Sequence, residues 1–357
     1  MEPSREAILA ALEHVIDPEL QRPVTELDMV RDIEVADGIV SLTIVLTIAG
    51  CPLRQSFEDQ VERALAEVPG VRGASLSFGV MTPEERQALT TKLRGGAPAD
   101  DSVIRVGRNT RVIAVASGKG GVGKSTLAAN LAVAFSHLGR RAGILDADIY
   151  GHSIPHILGI HQKPVAVDSL IVPPVKDGLK LMSIGFFLDG NEPVMWRGPM
   201  LHRALEQFLT DVHWGELDVL VVDMPPGTGD VSISLGQLLP RAEVVVVTTP
   251  QRLAQDVASR AASMARKTNM RLLGVVENMT GDVFGFGGGE ELAAQLDVPF
   301  LGTVPLDPLL REQGDLGEPA VSAQPDSEAA AAITAIAEAI DAKREAGTIL
   351  KALPLVG

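Results

Sequence analysis

Two kinds of hydrophobic spacing divide the chain. In its first part, SREAILAALEHV carries apolar residues at helical intervals, and RDIEVA, a turn at Asp37-Gly38 and IVSLTIVLT read as a hairpin. The second hairpin strand puts Val40, Leu42, Ile44 and Leu46 on one face, which must be covered. CPLRQSFEDQVERALAEV has the period of the covering helix, and VRGASLSFGV returns as a strand. The prediction is a small α+β domain over residues 1–93, with helices on one side of a short mixed sheet. RGGAPADDS then loses all apolar period, as an interdomain linker does, and the linker is placed at 94–110.

From Arg111 the pattern changes to continuous apolar runs. RVIAVAS, RAGILDAD, LKLMSIG, LDVLVVDMP, EVVVVTTP, RLLGVVENM and PFLGTVP are short, rich in Val, Ile and Leu, and bounded by Gly, Pro or Asp. Strands buried on both faces have this composition. Helical segments such as KSTLAANLAVAFSHLG and MLHRALEQFLTDV lie between some of them, so residues 111–357 are predicted to form an α/β domain with a doubly wound, mostly parallel sheet. The Ala-rich DSEAAAAITAIAEAIDAKREA reads as a closing helix with an Asp cap.

Charge narrows the functional classes. Acidic residues number 46 against 31 basic ones, a net charge of −15, which disfavours nucleic acid and anionic membrane surfaces as partners. No stretch approaches the roughly 18 consecutive apolar residues of a membrane span. The segment MEPSREAILAALEHV has no apolar run ending in a cleavage site, and a cytoplasmic location is the expectation. Cys51 is the one cysteine in the sequence, so one chain makes no internal disulfide and no Cys₄ metal site.

The sharpest chemistry lies at Gly118-Lys119-Gly120-Gly121-Val122-Gly123-Lys124-Ser125, followed by Thr126, between a predicted strand and a predicted helix. This is the G-x-x-x-x-G-K-[ST] phosphate loop in its required context. Its glycines let successive backbone N–H groups turn toward a β-phosphate at the positive end of the helix. Lys124 is expected to bridge the β- and γ-phosphates, and the Ser125 hydroxyl to ligate Mg²⁺. Asp223 ends LDVLVVD ahead of a loop containing Gly227, as a Walker B strand does, and Asp146 and Asp148 end RAGILDAD. Carboxylates at the carboxyl ends of parallel strands suit Mg²⁺ binding and the orientation of a water, the latter assigned to Asp148. Lys119 is a second cation in the loop, read as either a solvated lysine or one that reaches a nucleotide across a dimer interface.

SGKGGVGKST resembles the deviant Walker A loop of MinD/ParA-type NTPases. Longer strings, DADIYGHSIPHILG, MWRGPM, LDVLVVDMPPGTGD, VVTTPQ and GVVENM, resemble the Mrp/NBP35/ApbC family of iron–sulfur cluster carrier ATPases. DPEL, TELDMV and LTIAGCPLR in the first 93 residues look like the MIP18-type (DUF59) domain often fused ahead of it. The resemblance implies a homodimer that binds ATP between subunits, hydrolyses it slowly and delivers clusters to apoproteins, working with iron–sulfur assembly proteins. It implies Lys119 as the signature lysine, Asp148 at switch I, Asp223 at Walker B, Gly227 in switch II and Asn278 at the adenine. His152, Trp196 and Arg197 belong to the shared strings without a derived role.

One departure stands out. Family members that bind a bridging [4Fe–4S] cluster usually carry CxxC after the ENM motif, whereas this chain runs ENMTGDVFGFGGGEELA. A Cys₄ cluster is therefore not expected there. Cys51 has two readings: an inert residue, or a ligand to iron or a transient cluster beside carboxylates such as Asp17 and Glu19. The expected function is an ATP-dependent iron–sulfur carrier. The alternative is an ATP-switched adaptor that binds no cluster itself, and a DNA- or membrane-positioning ATPase is opposed by the acidic charge.

Overall fold

The computed structural model describes residues 3–48, 54–94, 106–107, 109–188 and 198–349. They divide into two compact units, one of Met1–Val103 with Val165–Val172, the other of Ile104–Pro164 with Pro173–Gly357.

The first unit opens with α1 (Arg5–Leu12), whose N-terminus is capped by the Ser4 hydroxyl accepting from the Ala7 N–H. Strands β1 (Val30–Ala36) and β2 (Ile39–Leu46) pair antiparallel about Asp37-Gly38, both at positive φ as a tight hairpin turn demands. Helix α2 (Arg54–Ala66) leads to β3 (Gly73–Val80), which joins β2 in parallel and completes a mixed sheet in the order β1-β2-β3. Helix α3 (Pro83–Leu93) starts in a capping box between Thr82 and Glu85. The predicted face of β2 is buried as expected, against Ile8 and Leu12 of α1 and Phe57, Val61 and Leu65 of α2.

In the second unit, β4 (Arg111–Ser117), α4 (Lys124–His137), β5 (Ala142–Asp146) and α5 (Ile154–Ile157) come first. The chain then makes a hairpin, β6 (Val165–Val167) and β7 (Leu170–Val172), which belongs to the first unit. Val167, Leu170 and Val172 join that unit's core, and the Thr90 hydroxyl donates to the Val167 carbonyl at 3.1 Å. The second unit continues through β8 (Val175–Lys176), β9 (Leu179–Ser183), α6 (Gly198–Thr210), β10 (Val219–Asp223), α7 (Asp230–Leu238), β11 (Glu243–Thr248), α8 (Arg252–Lys267), β12 (Arg271–Thr280), α9 (Gly288–Leu296), β13 (Phe300–Pro305), α10 (Pro308–Leu316), α11 (Ala320–Ala323) and α12 (Glu328–Ile349).

Its sheet runs β13-β12-β11-β4-β10-β5-β9-β8, parallel throughout except for β8 against β9. Ile113, Val115, Val219, Val221, Val245 and Val247 pack under α4 and α12. The alternate residues Val112, Ala114, Leu220, Val222, Val244 and Val246 are buried as well, so both faces are covered. The order matters for chemistry: β10 lies between β4 and β5, and the register pairs Asp223 with Val115 on one side and Asp146 on the other. The end of β10 thus sits directly between the end of β4, where the glycine loop begins, and the acidic end of β5.

Candidate nucleotide site

The loop from β4 to α4 has the geometry its glycines foreshadow. Gly121 and Gly123 both have φ of 79°, where residues with a Cβ are strained. Gly118 is needed for a different reason: a Cβ there would lie 2.2 Å from the backbone of Val257, so the loop is pressed against α8. Helix α4 begins at Gly123 without a side-chain cap, which leaves its first N–H groups and positive dipole end open to an anion. The loop is braced from outside, with the Gly227 N–H donating to the Ser117 carbonyl at 2.8 Å and the Ser117 hydroxyl to the Lys119 carbonyl at 3.0 Å.

Lys124 is buried, and its ammonium is 2.6 Å from Asp223 Oδ1 and 3.7 Å from Asp148. It also donates to the Ser125 hydroxyl at 3.2 Å. The loop lysine is thus held by the carboxylates beside it. Asp146, next to Asp223 in register, accepts from the Ser183 hydroxyl at 3.0 Å and from the Ile154 N–H at 3.3 Å. Burial, and then the charge of Asp223, push its carboxyl up to about 8. Burial pushes Asp223 up as well, against the opposing charge and hydrogen bond of Lys124.

Asp223 Oδ2 is buried without a hydrogen-bond partner. An orphaned carboxylate oxygen near the Ser125 hydroxyl fits the outer shell of a phosphate-bound Mg²⁺, which takes oxygen ligands and keeps several waters. Among the described residues no group of three or more His, Cys, Asp or Glu side chains is placed to hold a metal by itself. Mg²⁺ here would depend on phosphate and water for the rest of its shell.

These groups open into a cleft of about 640 Å³, large enough for a nucleotide, at the carboxyl ends of the strands. Lys119, exposed, lines it together with Gly120, Gly121, Gly123, Lys124, Ser125, Thr126 and Asp148. Asn278 and Met279 form one wall, and Pro305, Leu306 and Leu310 another. The latter wall escaped the sequence reading, because the apolar PL of a strand end carries no phosphate signature. Ser183, which holds Asp146, was likewise invisible: only strand order sets it beside β5. So was Glu277, fully buried, whose carboxylate accepts from the Gly287 N–H at 2.9 Å and from the Gly289 N–H at the start of α9. His152 meets the Ile149 carbonyl through Nδ1 at 3.3 Å and packs over Gly185.

In the first unit Asp17 is buried and accepts from the Glu19 and Leu20 N–H groups, both at 2.8 Å. Burial outweighs those bonds and raises its carboxyl, and burial with the adjacent Asp17 pushes Glu19 up to about 7. Cys51, Trp196 and Arg197 lie outside the described residues.

A mostly parallel sheet whose central strand feeds a glycine loop and an uncapped helix, with an aspartate on the next strand bonded to the loop lysine, defines a P-loop NTPase. Residues 108–341 match the family described as "NUBPL iron-transfer P-loop NTPase", and residues 5–76 match "Iron-sulfur cluster assembly protein". An iron-sulfur cluster carrier protein of Mycobacterium tuberculosis is 51% identical, over 95% of this chain and 93% of its own length. One from Synechocystis is 44% identical, over 95% and 97%. The chain belongs to the family of iron-transfer P-loop NTPases. Among solved structures, a nucleotide-binding protein of Archaeoglobus fulgidus in complex with ADP is 38% identical, covering 61% of this chain and 89% of its own, with a TM-score of 0.53. The septum site-determining protein MinD of Pyrococcus horikoshii, complexed with Mg-ADP, is 25% identical, over 67% and 98%, with a TM-score of 0.52.

Proposed function

We propose that the protein is an ATP-binding and slowly ATP-hydrolysing iron–sulfur cluster carrier that works as a nucleotide-gated homodimer and hands clusters to apoproteins. The observation that carries the nucleotide half is the uncapped α4 N-terminus with Lys124 held between Asp223 and Asp148. On ATP binding, the N–H groups of the loop take the β-phosphate, and Lys124 moves from its carboxylate partners to the β- and γ-phosphates. Ser125 and Asp223 are the residues that would hold Mg²⁺, which would supply charge neutralisation of those phosphates. Asp148 orients the water that attacks the γ-phosphorus, giving ADP and inorganic phosphate. Gly227, tied to Ser117 beside the loop, is where a γ-phosphate is sensed, and Asn278 meets the adenine.

Lys119 is proposed to act on the nucleotide of the partner subunit; its exposure at the cleft mouth supports this. Exposed Leu306 at the cleft, and exposed Val283 and Phe286 in the segment after β12, support an apposed second copy. The relatives' names support the iron–sulfur cargo. With no cysteine after β12, the thiol available to the cargo is Cys51, with the carboxyls of Asp17 and Glu19 in the same unit.

Two sets of measurements test this. Lys124→Ala should lose ATP affinity, whereas Lys119→Ala should keep most of the affinity and lose hydrolysis. Wild-type turnover in Lys119→Ala would sink the dimer-gated mechanism. After anaerobic reconstitution with iron and sulfide, wild type should retain both and Cys51→Ala should not. Equal iron in the two would remove Cys51 from the carrier site.

A further inference from the structure

The amide of Asn278 does something besides facing a base. Its Nδ2 donates to the main-chain carbonyl of Val122, in the middle of the phosphate loop, at 2.8 Å. The acceptor is a carbonyl oxygen, so only the NH₂ end of the side chain can face it. Asn278 is nearly buried, 6% exposed, and stands near the end of β12 with its register partner Val304 on β13. A group on a paired inner strand is a rigid support for a loop.

We infer that Asn278 is a positioning residue for the phosphate loop, setting the Val122–Gly123 peptide in its phosphate-receiving orientation before a nucleotide arrives. This rests on the nucleotide-binding reading of the cleft and extends it. The peptide unit is planar and trans, so its C=O and N–H point in opposite directions. Pinning the Val122 oxygen therefore fixes where the Gly123 N–H points, and Gly123 is the uncapped start of α4. The residue types agree with this arrangement. A Cβ on Gly123 would lie 2.2 Å from Asn278 Nδ2 and 3.3 Å from the Met279 side chain, so glycine is needed there for the tie as well as for φ. Met279 itself takes a left-handed φ of 61°, turning the chain just past the tie. Preorganising a loop N–H in this way lowers the ordering cost that phosphate would otherwise bear.

The test separates the loop from the base. Inorganic tripolyphosphate has the phosphates of ATP and no adenine, and its affinity is read by displacement of a fluorescent ATP analogue from the full-length protein. Asn278→Ala and the near-isosteric Asn278→Leu should bind tripolyphosphate about tenfold more weakly, the scale of one buried hydrogen bond, and ATP more weakly by at least that factor, since ATP also loses the adenine contact. In the nucleotide-free protein, backbone amides 119–123 should exchange with deuterium at least several-fold faster in both variants, with the thermal midpoint kept. If ATP affinity falls while tripolyphosphate affinity and loop exchange stay at wild-type values, Asn278 is a base contact alone and the inference is overturned. If wild type binds no ATP, the nucleotide reading fails first, and that failure is visible without any variant.

Discussion

At the scale of single residues, two carboxyls, Asp223 and Asp146, stand in register on neighbouring strands. Asp223 has Lys124 at 2.6 Å, while Asp146 has the Ser183 hydroxyl and the N–H groups of Asp148 and Ile154, and burial pushes it up to about 8. A carboxyl raised from its ordinary 3.8 holds a proton in the folded state that the unfolded chain has released. Its effect is to lower stability progressively as pH rises from about 4 to about 8. The nucleotide-free protein should therefore lose thermal stability across that window, and Asp146→Asn should flatten the decline. A slope unchanged by Asp146→Asn, measured by calorimetry at several pH values, would mean that Asp146 is ionised in the fold. The carboxylates themselves were legible in the sequence as strand ends. Their partners were not, because Lys124 and Ser183 arrive from other elements.

At the scale of elements, the phosphate loop is shaped by what presses on it. Gly118 touches the backbone of α8, and Val122 is tied to β12, so neighbours distant in sequence hold the loop on two sides. Gly118→Ala places a methyl 2.2 Å from Val257, and neither is the flexible end of a side chain. It should lower stability by roughly 1–3 kcal/mol, as overpacking of a tight contact does, and weaken ATP binding along with it. Denaturant midpoint and nucleotide titration on the same preparation check the pair, and an unaltered midpoint would contradict the contact. The strand and helix assignments around the loop were readable because continuous Val-Ile-Leu runs between breakers have one economical solution, a sheet covered on both faces. The antiparallel β8, two residues long, and the hairpin of β6 and β7 were not, since runs of two or three residues carry no period.

At the scale of the molecule, the sequence reads as two successive domains, yet eight residues, Val165–Val172, from within the predicted second domain belong to the first unit. Val167, Leu170 and Val172 complete the core around Leu89 and Leu93 of α3. Leu170 is 1% exposed, so Leu170→Ala should destabilise that unit by about 2–4 kcal/mol. The loss should appear as a lower-temperature transition in calorimetry, with nucleotide affinity of the second unit kept. A single unshifted transition would place the hairpin outside the first unit's core. Elsewhere the second unit closes on itself: Arg140 pairs with Asp341 of α12 at 2.6 Å, and Arg111 bonds both Glu243 and the Ile340 carbonyl. This agrees with reading the segment as a closing helix, since its apolar face, Ile333, Ile336, Ala337 and Ile340, is buried on the core.

The sequence by itself determined the chemistry that local order can encode. A glycine loop followed by Lys-Ser, between a strand and a helix, specifies a phosphate cradle from a few consecutive residues, and the spacing of apolar residues specifies the layers around it. The count of one cysteine likewise settled that no cysteine cluster site follows β12. Only the tertiary structure decided the rest: that β10 lies between β4 and β5, that Asp223 rather than Asp146 holds the lysine, and that Asn278 reaches back to Val122 across 156 positions of sequence. These depend on strand order and register, and periodicity records which face of a strand is buried but not which strand becomes its neighbour.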